Sequence, residues 1–211
     1  AVMSDVLNGA REVADRIFVD DVPSARVHLD PIIEALKGSQ LIRFTYKSYT
    51  RALPQTGIVI EPYFLKLFRQ RWYITGRNLR ARKLRTYALD RISNLVIEAE
   101  TFTYPEDFDA QGYIRDSFGI IFDEGQTHRV RIKADVRQAK YFRDLPLHHS
   151  QQESIHDTYS IFSYKIKLTP DFVNELLSFG PSVTVLDPPE LRAMMVSTLQ
   201  NTLSNYQKLS E

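Results

Sequence analysis

From Leu41 onward the chain alternates: Ile42, Phe44 and Tyr46 are apolar or aromatic, and Arg43 and Thr45 stand between them. A period of two sends one set of side chains to a buried face, which predicts a strand. Similar runs at residues 58–60, 71–75, 84–89 and 93–99 predict four more, divided at Gly57, Pro62, Gly76 with Asn78, and Asp90. Just upstream the spacing is helical. Ile32, Ile33 and Leu36 share a face, Asp30 suits the cap, Pro31 the first position and Gly38 the end. One helix followed by five short strands predicts a small β-barrel or a strongly bent sheet.

The second half changes rhythm. Val130, Ile132 and Ala134 alternate with cations, Asp135 caps a helix bearing Val136, Ala139, Tyr141 and Phe142, and strands follow at residues 153–157 and 159–168. Thr169-Pro170 opens a helix with Phe172, Leu176 and Phe179, ended by Gly180. A strand at residues 182–186 leads to Asp187-Pro188-Pro189-Glu190, which reads as the cap and first turn of a long last helix. The order βαββαβ plus a helix is the ferredoxin-like plan, and the expected class is α+β. Residues 1–26 read as a linker or connecting helix, with helical spacing from Val6 through Val13 to Ile17. Residues 27–122 read as a first domain whose last stretch, from Tyr104, carries a short amphipathic helix with Phe108, Tyr113, Ile114 and Phe118. Residues 123–211 read as the second, the boundary falling in the polar stretch 123–127.

Charge sharpens this picture. The net +1 conceals a +8 segment: residues 41–100 hold twelve basic residues and four acidic ones, and the remainder carries −7. Such imbalance points to an anionic partner. The chain has no cysteine, which removes disulfides, thiolate metal sites and a cysteine nucleophile. No apolar run is long enough to span a membrane, and the first residues lack the pattern of a signal peptide, so the expected location is the cytoplasm.

The patterns of common catalysis are missing. The eight glycines form no phosphate-binding loop, and neither H-E-x-x-H nor G-x-S-x-G occurs. His148-His149 is the one histidine pair, and adjacent histidines on a loop read as solvated surface before they read as metal ligands. Asp107 with Asp109, and Asp20 with Asp21, read as loop or cap residues. The expectation is a binding module, with no enzyme activity, no cofactor and no metal.

The most distinctive local feature is Arg71-Trp72-Tyr73-Ile74, which holds the only tryptophan. Phe44-Thr45-Tyr46 and Glu61-Pro62-Tyr63-Phe64-Leu65 precede it, and Arg85-Thr86-Tyr87-Ala88-Leu89-Asp90-Arg91-Ile92 follows. In that order these motifs resemble a WYL domain over residues 27–102, with isoleucine in place of the leucine of W-Y-L and Tyr87 where phenylalanine is common. Residues 128–208 are similar to the WCX extension that follows such domains, Ser182-Val183-Thr184-Val185-Leu186-Asp187-Pro188 and the leucine-spaced last helix resembling its end. The resemblance implies an Sm- or SH3-like barrel binding a ligand, often nucleic acid or a nucleotide, in a bacterial transcriptional regulator. Such regulators carry a winged helix-turn-helix first, for which 26 residues are too few. The chain is therefore expected to be a fragment, or else a protein without its own DNA reader.

Arg71, Arg85 and Arg91 sit inside strand patterns at the family's basic positions, where guanidinium groups fork onto phosphates. With Tyr46, Tyr73, Tyr87 and Lys66 they form the expected ligand site. The tyrosines stay open between core and base stacking, worth about 1–3 kcal/mol per base, and a structural Asp90–Arg91 pair is the alternative for Arg91. Trp72 and Phe44 read as core; Arg77, Arg80, Arg82 and Lys83 read as a solvated hairpin tip. Val196, Leu199, Leu203 and Tyr206 stripe the last helix, for packing on the sheet or for a homodimer seam. The expected partners are single-stranded nucleic acid or a nucleotide-type ligand, DNA through a reader outside this chain, and a second copy. The competing functions are a sensor of that anionic ligand and a structural dimerisation module with no ligand of its own.

Overall fold

The computed structural model describes residues 26–122 and 125–208. The linker expected over residues 1–26 falls almost wholly outside them, as does Asp20-Asp21. The first unit runs α1 (Arg26–Lys37), β1 (Gln40–Tyr46), β2 (Gln55–Phe68), β3 (Arg71–Asn78), β4 (Lys83–Ala88) and β5 (Ile92–Thr101), followed by the short α2 (Ala110–Arg115). The second runs β6 (Thr127–Asp135), α3 (Val136–Asp144), β7 (Gln152–Ile155), β8 (Tyr159–Lys167), α4 (Pro170–Ser178), β9 (Val183–Asp187) and α5 (Pro189–Gln207). The protein is α+β, with two antiparallel sheets.

The first sheet has the order β4-β3-β2-β1-β5 and is open: β4 and β5 are edges that share no ladder. A closed barrel is therefore corrected to the strongly bent sheet. The connection shows why the sheet bends. Only a 3₁₀ turn, Leu89–Arg91, joins the two edges. From Ala88 to Ile92 four residues reach about 14 Å at most, yet in a flat sheet β4 and β5 would lie about 19 Å apart. The sheet must curl to bring them within reach. Inside the curl, Ile32 and Ala35 of α1 meet Ile42, Phe44, Ile60, Ile74 and Leu89, all nearly or fully buried, with Trp72 packed against them.

Helix α1 departs from its predicted start. It begins before Asp30 and carries Pro31 inside. A proline there removes one helical hydrogen bond, which burial of Ile32 and Ala35 and a bond from His28 Nε2 to the Ile92 carbonyl (2.9 Å) offset.

The second sheet has the order β7-β8-β6-β9. Val130, Ile132, Phe162, Tyr164 and Ile166 face Ala139, Phe142, Phe172, Leu176 and Leu191 of the helices. Asp135 caps α3 by accepting from Gln138 N (2.7 Å), and Thr169 caps α4 by accepting from Phe172 N (3.4 Å). Asp187 does not cap α5. Its carboxylate pairs with Arg131 at 3.0 Å, and Pro188 takes the cap position without a side-chain bond. Helix α5 buries only Leu191, so its stripe is not sheet packing: Val196, Leu199, Leu203 and Tyr206 are exposed.

The bridge after β5 contributes more than a connection. Tyr63 and Phe64 of β2 stack or tilt against Phe102, Tyr104, Phe108, Tyr113 and Phe122, an aromatic layer on the side of the sheet away from α1. Phe118 touches Phe68 of the first unit and Phe172 of the second.

Candidate functional site

Pairing register sorts the seven expected site residues. Tyr73 lies opposite Lys66 and Ala88, while Ile74 lies opposite Tyr87, and Gly76 opposite Arg85. Opposed residues of an antiparallel pair share a face. Tyr87 and Arg85 thus share the α1 side of β3 and β4, and Arg71, Tyr73 and Lys66 take the other. The seven do not form one constellation.

On the α1 side, Tyr87 is buried, with its ring edge-on to Phe44 and Tyr46 at 5.1 and 5.0 Å. Its hydroxyl accepts from Asn78 Nδ2 at 2.8 Å, and burial raises its pKa. Asn78 also accepts from Ala81 N at 2.7 Å, which fixes the β3–β4 turn. The Tyr46 hydroxyl accepts from Ala88 N at 3.3 Å. These three residues build one wall of a cleft of about 1300 Å³, whose other lining includes Arg51, Arg80 and Arg85. Arg51, Arg80 and Arg85 form no ion pair among the described residues. Glu98, also at the cleft, is engaged by Arg43. Arg51 and Arg80 went unselected in the sequence because a cation on a loop tip has no periodicity to mark it; Asn78, a turn residue two places before Arg80, was the available signal.

On the other side the residues are committed to the fold. Arg71 Nη2 binds Asp90 Oδ2, so the structural pair weighed as the alternative for Arg91 forms with Arg71 instead. The reason is geometric: Arg91 sits on the 3₁₀ turn beside Asp90, whereas Arg71 reaches it from β3 across the curl. Burial opposes the Arg71 charge, and the bond and charge of Asp90, with smaller help from Tyr49 and Tyr73, together more than offset it, raising its pKa. Arg91 instead places its guanidinium 3.9 Å from the ring centre of exposed Tyr49 and 6.0 Å from that of Tyr46. Tyr73 is buried, and burial raises its pKa. Lys66 donates to the Gly119 carbonyl at 2.5 Å and lies 5.0 Å from the Phe122 ring, with its pKa lowered by burial. It clamps the bridge to the sheet. Asp171 of α4 accepts from Ile120 N and Ile121 N at 2.8 and 3.1 Å on the same bridge.

Arg77 pairs with Glu61 at 3.3 Å. His148 and His149 both donate Nε2–H to the Arg115 carbonyl, at 2.6 and 2.8 Å, and burial lowers the pKa of His148. Among the described residues no group of three or more His, Cys, Asp or Glu is placed to hold a metal ion, and no helix is long and apolar enough to cross a membrane. Asp109 occupies the cap position of α2 without a side-chain bond.

A rolled sheet with a cleft of unpaired arginines, joined to a helix-backed sheet, defines a two-part chain. Its parts match two family models: a WYL domain over residues 27–97 and a WCX domain over residues 126–203. The chain thus carries a WYL domain followed by a WCX domain. No curated protein matches it. Among solved structures it is similar to proteasome accessory factor B/C (PafBC) of Arthrobacter aurescens, with 22% identity over 86% of this chain and 27% of that one, at a TM-score of 0.42. It is also similar to a CRISPR Cas-related protein, with 12% identity over 89% of this chain and 53% of that one, at a TM-score of 0.51. The second likeness is one of fold. The chain spans 27% and 53% of the lengths of these two proteins.

Proposed function

We propose that this chain is the ligand-sensing and dimerisation portion of a bacterial transcriptional regulator, and that its WYL domain binds an anionic ligand, single-stranded nucleic acid or a nucleotide. The observation that carries this reading is the cleft: three arginines without carboxylate partners, with Glu98 and Glu100 among the other lining residues, border a space of about 1300 Å³, roomier than ordinary ligand sites, which hold about 300–1,000 Å³. A guanidinium at a wet cleft mouth is kept from its own protein's acids only at the loss of an available pair, and phosphate oxygens supply the missing partner. In this reading Arg85 contacts the ligand, Arg51 and Arg80 join it, and Tyr46 and Tyr87 shape the wall. Arg91, stacked on Tyr49 and 6.0 Å from the Tyr46 ring, stands behind the cleft's tyrosine wall as a second cation for the ligand, and Arg71, Tyr73 and Lys66 hold the frame. The role is recognition without catalysis, in the cytoplasm.

Finer features of architecture belong to the same proposal. The order β4-β3-β2-β1-β5 in a curled sheet supports an Sm-like reading, and βαββαβ with sheet order β7-β8-β6-β9 supports a ferredoxin-like one. The two separate cores support domains at 27–122 and 123–211.

Fluorescence anisotropy of a labelled single-stranded oligonucleotide, at low and moderate salt, tests the ligand. Arg85→Ala is expected to weaken binding about tenfold and to flatten the salt slope by about 0.7, the share of one phosphate on a single strand. Binding equal to the parent's, with unchanged slope, would remove Arg85 from the site.

The exposed stripe of α5 supports a homodimer: Val196, Leu199, Leu203 and Tyr206 follow three-four-three spacing, and no charged residue lies between Ala193 and Gln207. Light scattering is expected to give twice the chain mass, reduced to one chain in Leu199→Glu/Leu203→Glu. A monomeric parent would refute the dimer. A dimer with no affinity for any nucleic acid or nucleotide would leave a structural dimerisation module.

A further inference from the structure

The second sheet has one covered face and one bare face. Val130, Ile132, Ala134, Phe162, Tyr164 and Ile166 are buried against the helices. The alternate residues turn outward, and Arg129, Arg131, Lys133 and Lys165 are all exposed. In register, Arg129 stands opposite Lys165, Arg131 opposite Ser163, and Lys133 opposite Ile161. Cations from two neighbouring strands are therefore gathered on the same surface, within a half of the chain that has no comparable excess of basic residues in its sequence.

Two of them are already engaged: Arg131 with Asp187 at 3.0 Å, and Lys133 with the Tyr159 ring at 4.5 Å. Arg129 and Lys165 form no ion pair among the described residues. Asp116 feels the charge of Lys165, but that carboxylate is held by Thr127 and Arg115. Like charges set directly opposite each other in an antiparallel pair destabilise it. Stability alone therefore gives no reason to place Arg129 against Lys165, and such local conflicts collect where a surface has a binding task. A groove of about 550 Å³ runs beside this pair, lined also by Thr127, Ser150, Gln152 and Ser163. Its walls bear cations, hydroxyls and amides, and no carboxylate.

Alternate residues on a strand are about 6.8 Å apart, so Arg129, Arg131 and Lys133 make a ladder of charge and not a single socket. A ladder suits a repeating anion. Among the described residues the surface is a broad sheet face from which no element of the second sheet projects to enter the groove of a duplex, about 12 Å wide, whereas a single strand lays its backbone along such a surface. We infer that the open face of the second sheet binds the sugar–phosphate backbone of single-stranded nucleic acid, with Arg129 and Lys165 at the centre of the contact. The site is separate from the cleft of the WYL domain and rests on different residues.

The test uses the full chain and a labelled fifteen-nucleotide oligothymidine, with a duplex of equal length beside it. Arg129→Glu/Lys165→Glu is expected to bind the single strand at least about tenfold more weakly, and its salt slope to fall by about 1.4, two phosphates at about 0.7 each. Arg129→Gln/Lys165→Gln should show a smaller loss in the same direction, with a thermal transition at or above the parent's because the opposed like charges are gone. Binding by both double variants equal to the parent's overturns the inference, as does a parent that prefers the duplex or binds neither. Arg85→Glu separates the two sites. Loss with Arg85→Glu alone upholds the cleft and overturns the sheet face; loss with the double variants alone does the reverse.

Discussion

Alanine at Gly76 is expected to destabilise the first sheet by about 3 kcal/mol or more, at or beyond the upper end of ordinary overpacking. Gly76 lies in β3 between Pro62 of β2 and Arg85 of β4. A Cβ there would meet the Glu61 carbonyl oxygen at 2.3 Å, and Ile60 Cδ1 and Pro62 Cα at 3.0 Å. Two of those atoms are backbone in the sheet's middle strand, so relief requires parting β2 from β3. Gly57→Ala is the control. Its φ of +66° strains any side chain, but nothing lies within 4 Å of the new carbon, and about 1–2 kcal/mol is expected. Urea unfolding of both variants reads the difference. Equal losses would mean that β2 yields and that Gly76 is not a packing constraint.

Asp90→Ala is expected to destabilise the chain by about 3 kcal/mol, because it leaves the Arg71 guanidinium partly buried without its carboxylate. Arg71 Nε and Asp90 Oδ1 already lack hydrogen-bond partners, so the pair has little reserve. The consequence reaches the fold through the 3₁₀ turn: Asp90 sits on the three residues that join the two edges of the curled sheet, and Arg71 tethers them to β3. Arg71→Met/Asp90→Ala is expected to recover much of the loss, since replacing both members of a buried pair by apolar groups costs far less than orphaning one. The double-mutant cycle by urea unfolding measures this. A cycle with no coupling would free Arg71 for the ligand role that its position in the motif implied.

Local pattern carried much of the architecture. The alternation of Ile42, Phe44 and Tyr46, and of Phe162, Tyr164 and Ile166, encodes which face is buried, because a strand's period of two is a property of the backbone. Asp135 and Thr169-Pro170 signalled helix starts that formed as read. Where local signals failed, a long-range contact prevailed. Asp187 forgoes its cap for Arg131 on the neighbouring strand, and α1 runs through Pro31 because its apolar face is covered by the sheet.

The site was legible as a list but not as a place. Composition showed a basic segment, and motif order showed the WYL domain with its arginines and tyrosines. Neither distinguishes Arg85, which faces the cleft, from Arg71, which is held by Asp90, or from Lys66, which grips the Gly119 carbonyl. By itself the sequence determined the order of the elements, the buried faces and the excess of positive charge, all of which depend on neighbours a few residues apart. The turns expected at Gly57, Pro62 and Gly76 are instead inside β2 and β3, where ladder partners hold the strands extended. The tertiary structure alone decided which cations retain a free guanidinium, that the two sheet edges approach without pairing, and that the cations of β6 and β8 stand together on one bare face. Those outcomes depend on strand register and on the curl that a three-residue connection imposes, and both arise from contacts between residues far apart in the chain.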